Sequence, residues 1–244
     1  GDMLDGISHK LPQEKFTTDN IKEYINLAIV GMPNVGKSSL MNALLNEEKS
    51  IVTPIAGTTR DSIDSFLRYD KNDVRLIDTA GLRKKSKISG DIEFYSTVRT
   101  YRIIQECDVA AVLIDANKGF SNQDKDIIRH VIDSGKGLVI VVNKWDLIKK
   151  DTSTQREYQL DIINEFPMLE YYPTIFISVY HNLRIREVLK VSLCIYNERK
   201  RKIKTADFND FIKSAMAYHA PPLIKGKNIT IKYGTQVHHT PPIF

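Results

Sequence analysis

The chain is poor in several features, and each scarcity narrows what it can be. Two cysteines in 244 residues, Cys107 and Cys194, are too few for a disulfide-stapled scaffold, and neither has metal-ligand spacing. Both lie in apolar stretches, so buried thiols of a reducing cytoplasm are expected. No apolar run approaches the ~18 residues that a membrane-spanning helix needs. The segment Gly1–Gly6 lacks the basic and apolar regions of a secretory signal. A cytoplasmic protein without membrane association is therefore the expectation. Internal repeats and low-complexity tracts are also missing. The Gly1-Asp2 opening and abrupt Pro241-Pro-Ile-Phe244 ending suggest a partial chain.

The composition that remains is ordinary for a globular protein, with 42% apolar residues. A chain this long holds one large domain, or a medium one and a small one. The net charge of +5 is unevenly spread. From Arg199 onward nine Lys/Arg face only Asp207 and Asp210, so this stretch carries +7 and residues 1–198 carry −2. Such asymmetry points to nucleic acid ahead of an acidic membrane surface, with a solvated helix face as the plain alternative.

Residues 1–24 read as a helical end (Met3–Leu11) followed by a polar linker. Between Ile25 and about Arg199, strand-like runs alternate with helical segments. Strands are expected at Ile25–Val30, Ser62–Tyr69, Val74–Asp78, Val109–Asp115, Leu138–Asn143 and Thr174–Ser178. Helices are expected at Lys37–Leu45, Ile92–Gln105, Gln123–Ser134, Thr154–Glu165 and Arg184–Arg199. Runs such as Leu138–Val142 are too apolar for a half-solvated strand and suit a parallel sheet covered on both faces. The expected fold class is therefore α/β, a P-loop NTPase-type doubly wound sheet of mostly parallel strands, with ligands at the C-terminal strand ends. Past Arg199 a helical stretch (Asp207–Met216), Pro221-Pro222 and an alternating Asn228–Tyr233 strand imply a small, incomplete α+β domain. The expected division is 1–24, 25–199 and 200–244.

The chemistry gathers at the strand ends. Gly31-Met-Pro-Asn-Val-Gly-Lys-Ser38 fits G-x-x-x-x-G-K-[ST] between a strand and a helix, the context a phosphate loop requires. Gly31 and Gly36 let backbone N–H groups converge on phosphate, and the helix N-terminus adds partial positive charge. Lys37 would reach the β- and γ-phosphates, and the Ser38 hydroxyl would ligate Mg²⁺. Asp78-Thr-Ala-Gly81 supplies an acid for Mg²⁺ at Asp78 and an N–H for a γ-phosphate at Gly81. In Gly57–Asp61 a threonine could join the metal only when a γ-phosphate orders the loop. Asn143-Lys-Trp-Asp146 adds a carboxylate, Asp146, that can accept from both N1–H and the exocyclic amine of guanine; adenine offers no such pair. Asn143 would brace the loop, and the Lys144 stem would lie on the base. Each motif alone is compatible with an ordinary turn; three in this order, each at a strand's C-terminal end, point to guanine nucleotide.

These residues resemble the Era-type GTPases, and most closely the second GTPase domain of the bacterial double-Era-like family, EngA. The resemblance runs through Ile51–Asp61, Asp78–Ser86 and Gly137–Leu147, and the tail resembles the start of that family's KH-like domain. It implies GTP hydrolysis coupled to assembly of the large ribosomal subunit on ribosomal RNA, by a monomer. It also implies a nucleotide contact set of Gly31, Asn34, Val35, Gly36, Lys37, Ser38, Ser39, Asn143, Lys144, Asp146, Ser178 and Val179. Mg²⁺ would be held by Ser38, Thr59 and Asp78, and K⁺ by Asn34. Catalysis would rest on Lys37, Thr59, Gly81 and Asn34, the cation supplying charge that an arginine finger gives elsewhere. Leu82 stands where Ras-like enzymes carry a water-orienting glutamine, so slow intrinsic, K⁺-stimulated turnover is expected. The family's guanine loop contains a glycine that Ser178-Val-Tyr-His-Asn182 lacks, and the tail has no Gly-x-x-Gly clamp for single-stranded RNA. The competing readings are a tRNA-modification GTPase, which shares Asn34 and Gly57–Asp61, and a nucleotide-gated RNA-binding module with incidental hydrolysis.

Overall fold

Apolar side chains that alternate between two covered faces make these runs into strands. The computed structural model describes residues 24–47, 64–77, 93–219, 221–222 and 230–244. Six strands form one sheet: β1 (Ile25–Gly31), β2 (Ser65–Tyr69), β3 (Asn72–Leu76), β4 (Val109–Asp115), β5 (Gly137–Asn143) and β6 (Thr174–Phe176). Their order is β2-β3-β1-β4-β5-β6, parallel throughout except for the β2–β3 hairpin. That hairpin turns on Asp70 and Lys71, both at positive φ, as a two-residue turn of this hand requires.

Helices α1 (Lys37–Glu47) and α5 (Ile185–Lys200) cover one face. Their Leu40, Leu44, Val188 and Leu189 meet Leu27, Ile29, Leu113 and Val141. Helices α2 (Glu93–Glu106), α3 (Asn122–Asp133) and α4 (Thr154–Glu165) cover the other, with Ile104, Ile128, Val131 and Ile162 in one cluster with Ala28, Val30, Val112, Ile114 and Val142. Every residue of β4 and β5 is buried, and up to the closing Asp115 and Asn143 their sequences are apolar, as strands covered on both faces require. Each such aliphatic side chain contributes roughly 1.5–3 kcal/mol relative to exposure, so packing outweighs local propensity here. Among the described residues, no helix is long and apolar enough to cross a membrane.

The structure corrects two expectations. Cys107 is buried, and burial pushes its thiol up to about 12, but Cys194 is exposed. The inward stripe of α5 is Ile185, Val188, Leu189, Ser192 and Tyr196, and Cys194 falls off that spacing despite its apolar neighbours. The expected strand Asn228–Tyr233 is not a strand over its described part, 230–233. There the chain runs alongside α6 (Thr205–Tyr218), whose Asn209 amide donates to the Gly234 carbonyl and accepts from the Gly234 N–H, both at 2.9 Å. Those backbone groups are thus taken by a side chain rather than a neighbouring strand. The strand pair of the tail is instead β7 (His238–His239) with β8 (Pro242–Ile243), and Phe208 of α6 stacks on Phe244 at 4.6 Å.

Candidate nucleotide-binding site

The loop after β1 is built by residues that tolerate unusual backbone. Gly31 and Gly36 sit at φ +139° and +103°, and a Cβ at either would collide, with the Leu113 carbonyl and the Asn143 amide respectively. Asn34 takes the left-handed region at φ +65°, exposed at the crest of the loop. Inside the curl, the Lys37 ammonium donates to the carbonyls of Gly31 (2.9 Å) and Met32 (2.6 Å), so the cation stands over the start of α1. Leu40 N–H closes the first helical turn on the Gly36 carbonyl at 2.9 Å, with Ser38 and Ser39 in that turn.

The turn after β5 ties this loop to the rest of the site. Asn143 is buried; its Nδ2 donates to the Val35 carbonyl at 2.8 Å, and its Oδ1 accepts from Val179 N–H at 3.2 Å. One side chain therefore joins the phosphate loop, β5 and the loop after β6. Ser178 donates to Asp146 Oδ1 at 2.5 Å and accepts from His181 N–H at 3.3 Å. The Ser178 hydroxyl is the main reason the Asp146 carboxyl lies below the usual carboxylate range. Any stability that Asp146 contributes is therefore present above the ordinary value, near 4, and lost as pH falls through the lower folded value. Replacing Ser178 by alanine should raise the Asp146 pKa in an NMR titration of the carboxyl carbon; an unmoved titration would remove the hydroxyl as the cause. A cleft of about 390 Å³ lies between α1 and the β6 loop, lined by Ser39, Asn42, Ala43, Asn46, Val179 and Asn182.

Of the sequence-derived residues, the structure brings together Gly31, Asn34, Val35, Gly36, Lys37, Ser38 and Ser39 with Asn143, Lys144, Asp146, Ser178 and Val179. Thr59, Asp78, Gly81 and Leu82 lie outside the described residues, as does Met3–Leu11. Two participants escaped the sequence reading. Asn182 at φ +52° takes the conformation for which a glycine was missed, and Ser178 and Leu183 pair around it as an isolated bridge. β6 ends at Phe176 rather than Ser178, whose backbone pairs with Leu183 instead. Asp115, the last residue of β4, is 4% exposed and accepts from Lys144 Nζ at 2.5 Å. Its signal was a carboxylate closing an otherwise fully apolar strand.

Among phosphate-loop proteins, a carboxylate turn of this kind beside the glycine loop selects guanine over adenine; in fold and motif the chain is a P-loop GTPase. Residues 26–144 match the family described as 50S ribosome-binding GTPase, and residues 202–244 match the KH-domain-like C-terminal part of EngA bacterial GTPase enzymes. GTPase Der of Clostridium tetani is 46% identical and that of Amoebophilus asiaticus 44%, each over 100% of this chain and 56% of the relative. The chain thus spans little more than half the length of the curated relatives it matches. The solved structure of Era in complex with MgGDPNP and nucleotides 1506–1542 of 16S ribosomal RNA aligns at 25% identity and a TM-score of 0.54, over 71% of this chain and 57% of that one. Elongation factor SelB from Methanococcus maripaludis with the GTP analogue GPPNHP shares the fold at 17% identity and a TM-score of 0.55, over 75% of this chain and 35% of that one. Along its whole length the chain is similar to GTPases of the EngA type, whose curated members bear the name Der. Its KH-like segment sets the tRNA-modification reading aside.

Proposed function

We propose that this chain binds GTP and GDP, hydrolyses GTP, and acts as a nucleotide-dependent switch in assembly of the large ribosomal subunit. The division into a GTPase unit (25–199) and a KH-like unit (200–244) belongs to the same reading. The observation that carries it is Asn143, which ties phosphate loop, Asn-Lys-Trp-Asp turn and β6 loop into one buried network. Guanine pairs with Asp146, and the phosphates lie in the curl around Lys37. Ser38, with Thr59 and Asp78, offers oxygen donors that would hold Mg²⁺, which would supply positive charge beside the phosphates. The Asn34 amide oxygen, exposed at the loop crest, is a donor that suits K⁺.

Because Leu82 cannot orient water, turnover of the isolated chain is slow and depends on added positive charge. GTP hydrolysis in KCl should exceed that in NaCl at equal ionic strength by about 10-fold or more, the scale of a lost electrostatic contact at the transferring phosphate. Asn34→Ala should abolish the difference. Equal rates in both salts would refute the K⁺ role and leave a switch that needs an external activator. The +7 tail fits ribosomal RNA as partner, and tighter ribosome binding with GTP than with GDP is expected. Nucleotide-independent binding would favour an RNA-binding module with incidental hydrolysis.

A further inference from the structure

We propose that Asp115 is a positioning residue for the guanine base, acting through Lys144. This rests on the guanine-nucleotide reading and adds to it a residue outside the recognised motifs. β5 lies between β4 and β6 in the sheet, and the turn that follows it is tethered to both neighbours. On one side Asp146 is held by Ser178 after β6; on the other Lys144 is held by Asp115 at the end of β4. Asp115 stands opposite Asn143 in the parallel register, and the Ala116 N–H donates to the Asn143 carbonyl at 2.9 Å, so the two strand ends are locked together.

The carboxylate is itself fixed. Its Oδ1 accepts from the Asn117 N–H at 3.0 Å, and its backbone carbonyl accepts from the Lys118 and Gly119 N–H groups, both at 3.1 Å. That leaves Oδ2 for Lys144. A buried carboxylate needs a partner, and Lys144 is the cation that reaches it. Lys144 for its part sits at φ +62°, with its side chain one-third exposed. A lysine so placed would sample many rotamers in water, and ordering it only when the base arrives would weaken binding. The Asp115 ion pair extends the stem beforehand and holds it across the floor where the Lys144–Asp146 turn receives the base.

The test uses this 244-residue chain and GDP as the probe, read by the emission of Trp145. That residue is the only tryptophan, is 5% exposed, and sits between Lys144 and Asp146. Asp115→Asn keeps the oxygen acceptor for the Asn117 N–H but turns the amide NH2, a donor, toward Lys144. It should weaken GDP binding about tenfold, mostly through faster release. Lys144→Met keeps an apolar stem that cannot pair, and it should lose a similar factor. The double variant should lie within about threefold of Lys144→Met, since coupled residues are non-additive. A wild-type chain that gives no GDP titration overturns the nucleotide reading and this inference with it. A wild type that binds, with Asp115→Asn matching it or losing the same factor on the Lys144→Met background, overturns the inference alone. Should Asp115→Asn not fold, Lys144→Met decides: wild-type affinity in that variant overturns the proposal.

Discussion

Asp146→Asn is expected to weaken GDP binding about ten-thousandfold, the scale on which a site built for hydrogen bonds rejects a mismatch, and to admit xanthosine diphosphate instead. Guanine presents two donors on one edge, N1–H and the 2-amino group. A carboxylate accepts both, and the Ser178 hydroxyl occupies only one lone pair of Asp146 Oδ1. In the asparagine variant that same hydroxyl keeps the side-chain oxygen in place, so Nδ2 faces the 2-amino group, donor against donor. Xanthine carries a carbonyl at this position and accepts from Nδ2. Paired titrations of wild type and variant with GDP and XDP make the check. Retained GDP preference in the variant would mean that the base is not read by Asp146.

Asn143→Ala should cost about 2–4 kcal/mol of stability, since it strips one buried and one half-buried backbone group of their partner. The Val35 carbonyl and the Val179 N–H are those groups. For a chain of this size the loss corresponds to a melting point lower by roughly 5–15 °C. Nucleotide affinity should fall along with it, because the phosphate loop and the β6 loop are then no longer held in register. Gly36→Ala attacks the same contact from the other side, since its added methyl would meet the Asn143 amide. Calorimetry with and without GDP would read both effects. Wild-type melting and wild-type affinity in Asn143→Ala would show that the network holds nothing together.

Much of this was legible in the residues. Apolar runs at Val109–Ile114 and Leu138–Val142 already pointed to a sheet covered on both faces, and the two central strands are buried throughout. Helix ends were harder, because caps and packing move them by a residue or two: α3 begins at Asn122 because Ser121 and Asp124 form a capping box there. The Asn228–Tyr233 alternation misled because period two reports only that side chains alternate in environment. It does not say that a partner strand exists, and Asn209 supplies the bonds at Gly234 instead.

What the sequence by itself determined is the set of chemical groups: a lysine in a glycine loop, a carboxylate in an Asn-Lys-Trp-Asp turn, and their order along strand ends, because these depend on residue type and near-neighbour spacing. What only the tertiary structure decided are the long-range ties. Asn143 reaches Val35 across 108 residues of chain, and Lys144 reaches Asp115 across 29. Such pairings depend on which strands lie side by side. Sheet order β1-β4-β5-β6 is set by how all the helices and strands bury their apolar faces at once, and no local window of residues contains it.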